Sequence, residues 1–377
     1  MLELAGLQVK TGAFTLKNIN LAIEDGECHV IIGPTGCGKT TLLETIIGLR
    51  KPAEGSIWLD KKDITSLPIE RRNLSYLPQD ITIFPHMTVG GNILYGLKVQ
   101  GRIGKGLLAF VDELIERLGI SHLLKRDPRG LSGGERQRVA LARAIAAGNK
   151  YFLLDEPFSS LHEGIKKELW YLIKELQERY GLTIVMVTHD LEEAFFLGDR
   201  ISVMIYGKIH QTGSKDKVYK SPQTIETARF FGIKNLFKAD VLELSGEEIL
   251  LRCEEIHCNL HIPRLNRPAF LQGPRFIVGI RAEDVMFLRD DLKRRHQDNL
   301  ITGKVIAIFK KGAYHTILFS PLDSLKNIEV ELPNHAFQKL NLTTGQYSTI
   351  FLRKESIFPV FDADVGREIE HIGGRYV

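Results

Sequence analysis

The residues with the clearest chemical potential form a glycine-rich turn between two apolar stretches. The turn reads "GPTGCGKTT" over residues 33–41, follows the run "CHVII" and precedes the run "TLLETIIGL". A phosphate loop requires this order, because glycines let backbone amides converge on phosphate oxygens and the following helix start adds its positive end. Lys39 is expected to reach the β and γ phosphates, and Thr40 to bind Mg²⁺. The predicted nucleotide contacts are Gly33, Pro34, Thr35, Gly36, Cys37, Gly38, Lys39, Thr40 and Thr41.

Two carboxylates follow a second apolar run and are expected beside this loop. The run "YFLL" ends at Asp155 and Glu156, and open α/β sheets build ligand sites at the carboxyl ends of their strands. Asp155 is predicted to hold Mg²⁺, directly or through water. Glu156 points differently along the strand and is predicted to orient and deprotonate an attacking water.

Two further strand ends supply polar groups to the same edge. His189 follows "TIVMVT" and is expected to donate a hydrogen bond to the γ phosphate. Gln79, in "YLPQD", is expected to touch both Mg²⁺ and the attacking water. Together with Glu156, these two residues complete the predicted catalytic set.

A second candidate anion site lies far from the phosphate loop and has no lysine. In "RGLSGGERQRVALARA", residues 129–144, a serine and two glycines precede a helical pattern of apolar residues. Ser132 and the amides of Gly133 and Gly134 would present a hydroxyl and bare N–H groups to an anion, aided by the helix dipole. The sequence alone does not say which anion.

Composition excludes several classes of protein. The chain has 377 residues, 44% of them hydrophobic and 25% charged, with a formal net charge of +4. No apolar run approaches the roughly 20 residues needed to span a bilayer, so any membrane role is expected to act through a partner. The amino terminus does not read as a secretion signal. The four cysteines do not form a disulfide pattern, and Cys37 lies inside the glycine-rich turn, so we expect a reducing cytoplasm. The small net charge argues against nucleic acid as the main partner.

The pattern of hydrophobic residues changes near residue 234. Before it, short apolar runs alternate with helical stretches, which predicts an α/β domain over residues 1–234 with a buried parallel sheet. A mostly helical subdomain is expected at about residues 85–150. After it, residues 235–377 contain many short alternating segments, which predict an all-β barrel or sandwich.

Two small clusters in the second part have alternative interpretations. Cys253, His257, Cys258 and His261 have the residue types of a zinc site, but their spacing matches no common one. We read this segment as one alternating strand, which would send His257 and Cys258 to opposite faces. The basic run "KRRH" at 293–296 is predicted to be a solvated loop, with a docking patch as the alternative.

Taken together, five motifs resemble the ATP-binding subunits of ABC transporters, in family order across the first 234 or so residues. These motifs are "GPTGCGKT", "LPQD", "LSGGE", "FLLDEP" and "THD". The resemblance implies a P-loop ATPase fold and a homodimer in which residues Ser132, Gly133, Gly134 and Glu135 complete the ATP held by the other copy. It also implies two transmembrane permease subunits, an extracytoplasmic solute-binding protein, and a peripheral location on the cytoplasmic face of the membrane.

The chain departs from the family pattern at three positions. Glu135 stands where glutamine is commonest, a variant that importers tolerate. His162, in "SSLH", replaces an aspartate that normally helps to connect the two active sites of the dimer. Phe14, in the shortened segment "KTGAFTLKN", is the candidate to stack on adenine, with a core role as the alternative.

The second part resembles the OB-like regulatory tails of importer ATPases. "GIRAEDVMF" at 279–287 is similar to a recurrent strand of these tails, and the tail is expected to be of the oxyanion-binding type. The resemblance favours molybdate or tungstate as cargo, with sulfate, ferric iron, polyamine and sugar importers as alternatives. An oxyanion bound to the tail would inhibit transport by feedback. Rival interpretations are a soluble ABC protein, a nucleic-acid-binding module and a GTP switch, of which the last lacks an N-K-x-D motif.

Overall fold

The computed structural model describes residues 1–101, 104–159, 161–264, 275–288 and 298–360. The chain forms two compact units, Met1–Lys215 and Asp216–Val377. This division comes earlier in the chain than the boundary predicted near residue 234, which stays a prediction. No helix in the described part is both long enough and apolar enough to cross a membrane.

The described residues of the first unit form ten strands in two sheets. One sheet is antiparallel with the order β2-β1-β4-β5, and the other has the order β10-β9-β3-β8-β7-β6, parallel except for β10. In chain order the strands are β1 (Leu2–Thr11), β2 (Phe14–Ile23), β3 (Cys28–Ile32), β4 (Glu54–Leu59), β5 (Lys62–Asp63), β6 (Leu74–Leu77), β7 (Tyr151–Asp155), β8 (Thr183–Thr188), β9 (Arg200–Ile205) and β10 (Lys208–Ser214).

The parallel sheet follows from its apolar strands. Every residue of β3, β7 and β8 is buried, because a parallel sheet is covered on both faces and its strands read as continuous apolar runs. The α/β class with a P-loop fold is therefore confirmed.

Six helices accompany the two sheets in the described part of this unit. Three of them fall between β6 and β7, within the segment predicted to be helical, and Val111, Leu114 and Leu118 are buried at helical spacing. The helices are α1 (Lys39–Ile47), α2 (Val89–Val99), α3 (Lys105–Arg117), α4 (Gly133–Ala146), α5 (Glu163–Tyr180) and α6 (Leu191–Leu197).

The part of the second unit that the structure describes contains two five-stranded antiparallel sheets. Their orders are β13-β12-β11-β14-β20 and β15-β19-β16-β17-β18, so the all-β class predicted for the tail is confirmed. The helices that begin at or after Lys215 are α7 (Lys215–Lys220), α8 (Ile225–Phe230) and α9 (Asn334–Leu340). The strands are β11 (Leu236–Ser245), β12 (Glu248–Cys253), β13 (Cys258–Pro263), β14 (Arg275–Gly279), β15 (Val285–Phe287), β16 (Leu300–Lys311), β17 (Tyr314–Pro321), β18 (Ile328–Pro333), β19 (Tyr347–Leu352) and β20 (Phe358–Val360).

The sheets of the second unit share one hydrophobic core. In β18, Ile328, Val330 and Leu332 alternate with less buried residues, as a strand with one buried face requires. They join Phe237 of the other sheet and the fully buried Phe319 in a single cluster.

The possible zinc cluster is a hairpin rather than the single strand that we predicted. A 3₁₀ turn and His257, which has a left-handed backbone (φ 46°), separate β12 from β13, so that Cys253 and Cys258 face each other across the pair. The described residues contain no group of three or more His, Cys, Asp or Glu side chains that could hold a metal ion together. The "KRRH" run lies outside the described residues.

The core position of Phe319 can be tested by truncation. Phe319→Ala should lower the free energy of unfolding of the second unit by about 3–5 kcal/mol, because it leaves a cavity in a packed core. The measurement is urea denaturation followed by circular dichroism. Leu325→Ala is the control and should change the value by less than about 0.5 kcal/mol, since Leu325 is 84% exposed. Equal effects would contradict the shared core.

Candidate functional site

The predicted chemical residues converge at one edge of the parallel sheet. The strands β3, β8, β7 and β6 are neighbours in that order and run in parallel. The glycine-rich loop follows β3, His189 follows β8, Asp155 ends β7, and Gln79 lies two residues beyond β6. The carboxyl ends of parallel strands therefore gather residues that are far apart in sequence.

Lys39 closes the glycine-rich loop from within. Its Nζ donates hydrogen bonds to the carbonyl oxygens of Gly33 (2.9 Å) and Pro34 (3.2 Å), and the side chain is only 5% exposed. An ammonium carries three N–H donors. Two hold the loop in shape, and the third is left for an anion inside it.

Gly38 cannot carry a side chain in this loop. Its φ of 104° is in the left-handed region, and an added Cβ would lie 2.5 Å from Leu16 Cδ2 and 2.7 Å from Phe14 Cε1. Phe14 is half-buried and packs against the core of the first unit. The ring thus supports the loop directly, while its role in stacking on adenine stays a prediction.

Asp155 is a buried carboxylate held by two hydroxyl groups. Thr40 Oγ1 donates to Oδ1 at 3.0 Å and the Tyr76 hydroxyl donates to Oδ2 at 3.1 Å. Burial raises the pKa of Asp155, and the two hydrogen bonds oppose that rise. Burial and the nearby Asp155 raise the pKa of Tyr76, so its hydroxyl stays protonated and remains a donor.

Glu156 joins the loop lysine to the histidine. Its Oε2 is 3.1 Å from His189 Nδ1 and its Oε1 is 3.7 Å from Lys39 Nζ. The residue has a left-handed backbone (φ 43°), which is unusual for glutamate, and its N–H donates to the carbonyl of Val187 on β8. Such backbone strain is found where a functional group must be aimed.

Ser132 and Glu135 cap α4 reciprocally. Ser132 Oγ accepts from Glu135 N–H (3.3 Å), and Glu135 Oε2 accepts from Ser132 N–H (2.7 Å). The hydrogen bond from the Ser132 backbone lowers the pKa of Glu135. A glutamate at this position thus makes a complete capping box, which gives the departure from glutamine a physical reason. Ser132 and Gly133 remain exposed.

Two residues that sequence reasoning missed support the site from neighbouring elements. Tyr76 holds Asp155, and buried Gln137 on α4 donates from Nε2 to the carbonyl of Pro157 (2.5 Å), one residue after Glu156. The signal for Gln137 was a polar residue one turn into a helix with a buried face. Gln79 is exposed, and its contact with a metal ion stays a prediction.

The loop between β6 and α2 is held by side chains of the helical segment. Asn92, fully buried, accepts from Phe84 N–H and donates to the carbonyls of Phe84 and Thr88. Arg143 Nη2 donates to the carbonyl of Thr82 at 2.7 Å, and its guanidinium lies 5.0 Å from the Phe84 ring centre. The loop that follows Gln79 therefore has a defined shape.

Comparison with known proteins gives a consistent result. Residues 16–159 match the ABC transporter family. The molybdate/tungstate import ATP-binding protein WtpC of Pyrococcus horikoshii is 39% identical over 83% of this chain and 87% of its own length. The protein of the same name from Thermococcus kodakarensis is 41% identical over 78% and 85%. The spermidine/putrescine import ATP-binding protein PotA of Haemophilus influenzae is 35% identical over 83% of each chain.

A solved structure matches part of the chain. A dimeric ATP-binding cassette in a post-hydrolysis state with ADP and Pi is 30% identical, with a TM-score of 0.51. The match covers 57% of this chain and 98% of that one.

The start of α5 lacks a side-chain cap. His162 has the extended backbone of an N-cap residue (φ −71°, ψ 148°), but its side chain makes no capping hydrogen bond and is exposed. An aspartate here would accept from the free N–H groups of the first turn.

His162→Asp should therefore raise the free energy of unfolding by about 0.5–2 kcal/mol, because a carboxylate both caps the helix and favours its positive end. Thermal or urea denaturation at pH 7 gives the value. His162→Ala is the control and should be nearly neutral, since neither side chain caps. A stabilisation shared by both variants would mean that removing histidine, and not capping, is responsible.

Proposed function

Since this chain belongs to the ABC transporter family, we propose that it hydrolyses ATP to power the import of molybdate or tungstate. The observation that carries the ATPase function is the arrangement of Lys39, Glu156 and His189 at one edge of the sheet, where Glu156 lies within ion-pair distance of Lys39 and hydrogen-bonding distance of His189. This cluster places a phosphate-binding cation, a general base and a proton donor around one point.

Each residue of this cluster has a separate role. Lys39 keeps its two loop carbonyls and gives its remaining N–H to the β and γ phosphates. Glu156 accepts a proton from the attacking water, and His189, already oriented by Glu156, donates a hydrogen bond to the γ phosphate. The left-handed backbone of Glu156 aims its carboxylate at both partners.

The residues beside the loop fit Mg²⁺. A buried carboxylate and a threonine hydroxyl lie 3.0 Å apart at Asp155 and Thr40, and oxygen ligands of this kind are those that Mg²⁺ prefers. Asp155, Thr40 and Gln79 would hold the ion, which supplies charge neutralisation at the transferred phosphate. Tyr76 orients the Asp155 carboxylate through its other oxygen.

The exposed start of α4 supports a composite site in a homodimer. Gly133 and Gly134 carry backbone N–H groups and Ser132 a hydroxyl at a helix start that Glu135 caps. We assign Ser132, Gly133, Gly134 and Glu135 to the γ phosphate of ATP bound by the second copy. A related cassette was solved as a dimer with ADP and Pi. ATP shared in this way favours the closed dimer, and hydrolysis releases it.

The surface around Phe84 and Tyr95 supports an interaction with membrane partners. Phe84 and Tyr95 pack at 4.7 Å beside the loop held by Asn92 and Arg143, and Tyr95 is exposed. This rigid, partly apolar surface suits a short helix of a transmembrane permease subunit. Two permeases and an extracytoplasmic solute-binding protein would complete the importer, with this chain peripheral on the cytoplasmic face.

The cargo rests on the similar proteins rather than on the site. The ATPase residues are shared by importers of different solutes, so they do not select the cargo. Two relatives named for molybdate and tungstate import support an oxyanion, and the polyamine protein is the second candidate. We further propose that the tail binds the imported oxyanion and that this binding inhibits further import of the oxyanion.

Glu156→Gln should lower the kcat for ATP by at least about 100-fold while MgATP binding is kept, because the amide cannot accept the proton. With MgATP this variant should run as a dimer in size-exclusion chromatography. Lys39→Ala should lose both binding and dimer formation. Glu178→Gln, an exposed carboxylate on α5, is the matched control. A Glu156→Gln protein with full turnover would remove Glu156 as the base.

Proteoliposomes that contain the assembled transporter and its solute-binding protein test the cargo. Molybdate or tungstate outside should be taken up with ATP hydrolysis, and spermidine should not. Millimolar molybdate on the ATPase side should reduce this uptake, whereas sulfate should not. Uptake of spermidine would establish the polyamine as the cargo. Molybdate uptake that is unaffected by molybdate on the ATPase side would remove the tail as an inhibitory site.

A further inference from the structure

A buried carboxylate lies beside the loop that carries His189 and has no role in the chemistry above. Glu193, in the first turn of α6, is only 2% exposed. Its Oε2 accepts from Thr188 Oγ1 at 2.6 Å, and the same hydroxyl oxygen accepts from Asp190 N–H at 3.0 Å. The residues on both sides of His189 are therefore tied together by the Thr188 hydroxyl, which Glu193 holds in place.

A lysine from another helix completes this cluster. Lys166, one turn into α5, places its Nζ 3.5 Å from Asp190 Oδ2 and 3.8 Å from Glu193 Oε1, and 3.2 Å from Glu163 Oε1. Its side chain is 13% exposed. The cluster thus joins α5 to the start of α6 across the loop that contains His189.

The histidine ring itself is weakly held by packing. Its side chain is 52% exposed, and the hydrogen bond that the described structure gives the ring is the one to Glu156. Its orientation must then come mainly from its backbone, whose two neighbours are Thr188 and Asp190. Those two neighbours are members of the cluster.

We propose that Lys166 and Glu193 are positioning residues, which fix the backbone on either side of His189 and so hold its ring against Glu156. This inference rests on the proposed roles of His189 and Glu156 in ATP hydrolysis. It adds that α5, which begins after His162, is coupled to the His189 loop through one lysine.

The charges explain why the pair must act together. Burial raises the pKa of Glu193 to about 7, and Asp190 adds to that rise, while Thr188, Lys166 and His189 favour the ionised form. Burial opposes the charge of Lys166, but the three carboxylates near it raise its pKa overall. Removing either partner leaves a poorly compensated charge at the base of the loop, and the loop is expected to shift.

Steady-state ATPase kinetics of the 377-residue chain test the proposal with Glu193→Gln, Lys166→Met and the double variant. Each single variant should lower kcat by about 10- to 100-fold, because small displacements of a catalytic group have effects of that size. The KM for MgATP should stay within about twofold, since Lys39 and its loop are untouched. The double variant should be no slower than the slower single variant, because the two side chains act as a unit.

Neighbouring residues provide matched controls. Glu192→Gln and Lys167→Met change the same residue types one position away on exposed surfaces and should keep wild-type kcat. Lys166→Arg should recover most of the activity lost in Lys166→Met. Circular dichroism establishes that each variant is folded; if Glu193→Gln is not, Lys166→Met and Lys166→Arg decide the question.

Three outcomes separate this inference from the proposed function. If Glu156→Gln is inactive but Lys166→Met and Glu193→Gln turn over normally, the positioning role is overturned and the ATPase site stands. If Glu156→Gln is fully active, the proposed function itself fails. Single-variant losses that multiply in the double variant, or a KM that rises with each loss, would indicate general structural damage and overturn the positioning role.

Discussion

The site in the first unit depends on stabilising two neighbouring carboxylates, Asp155 and Glu156, at the carboxyl end of a buried strand. Asp155 is 1% exposed and Glu156 follows it directly, so two carboxylates leave water where the dielectric is low. A buried charge is tolerated only when it is paired and hydrogen-bonded. Thr40 and Tyr76 bind the first carboxylate, and Lys39 and His189 face the second. Lys39 and Thr40 come from the start of α1, Tyr76 from β6, and His189 from the residue after β8.

At the start of α4, the groups that need hydrogen-bond partners are donors instead of acceptors. There the unpaired groups are backbone N–H donors, and Ser132 and Glu135 satisfy two of them within the chain. Ser132 and Gly133 stay exposed, with the positive end of the helix behind them. The phosphate loop therefore has a lysine locked in place by carbonyls, whereas this second helix start has only amides and a hydroxyl, which suits an anion already bound elsewhere.

Sequence reasoning succeeded where the signal is local. The apolar runs before Gly33, Asp155 and His189 are strands β3, β7 and β8, because buried parallel strands have a continuous apolar pattern. In the tail, period-two alternation located strands such as β16, β17 and β18. The sheet orders could not be predicted, because pairing between distant strands leaves no mark on local periodicity.

The failures also have physical causes. The segment around His257 keeps a strand-like alternation, but a left-handed residue reverses the chain there. Likewise "GIRAEDVMF" is divided by a 3₁₀ turn at Ala282–Asp284 before β15 begins. Tyr76 and Gln137 were missed because each acts on a residue from a different element, and only the folded chain brings them together.

The charges of the site also favour a particular form of the nucleotide. Burial raises the pKa of Asp155 and the neighbouring Glu156 adds to that rise, while the Lys39 ammonium lies 3.7 Å from Glu156. A bare triphosphate would bring more negative charge to this edge and repel both acids. In the function that we propose, a triphosphate with Mg²⁺ would bring a cation to Asp155 and leave Lys39 for the phosphates. The same electrostatics that make the acids costly to bury would then favour the metal complex of the proposed nucleotide over the free nucleotide.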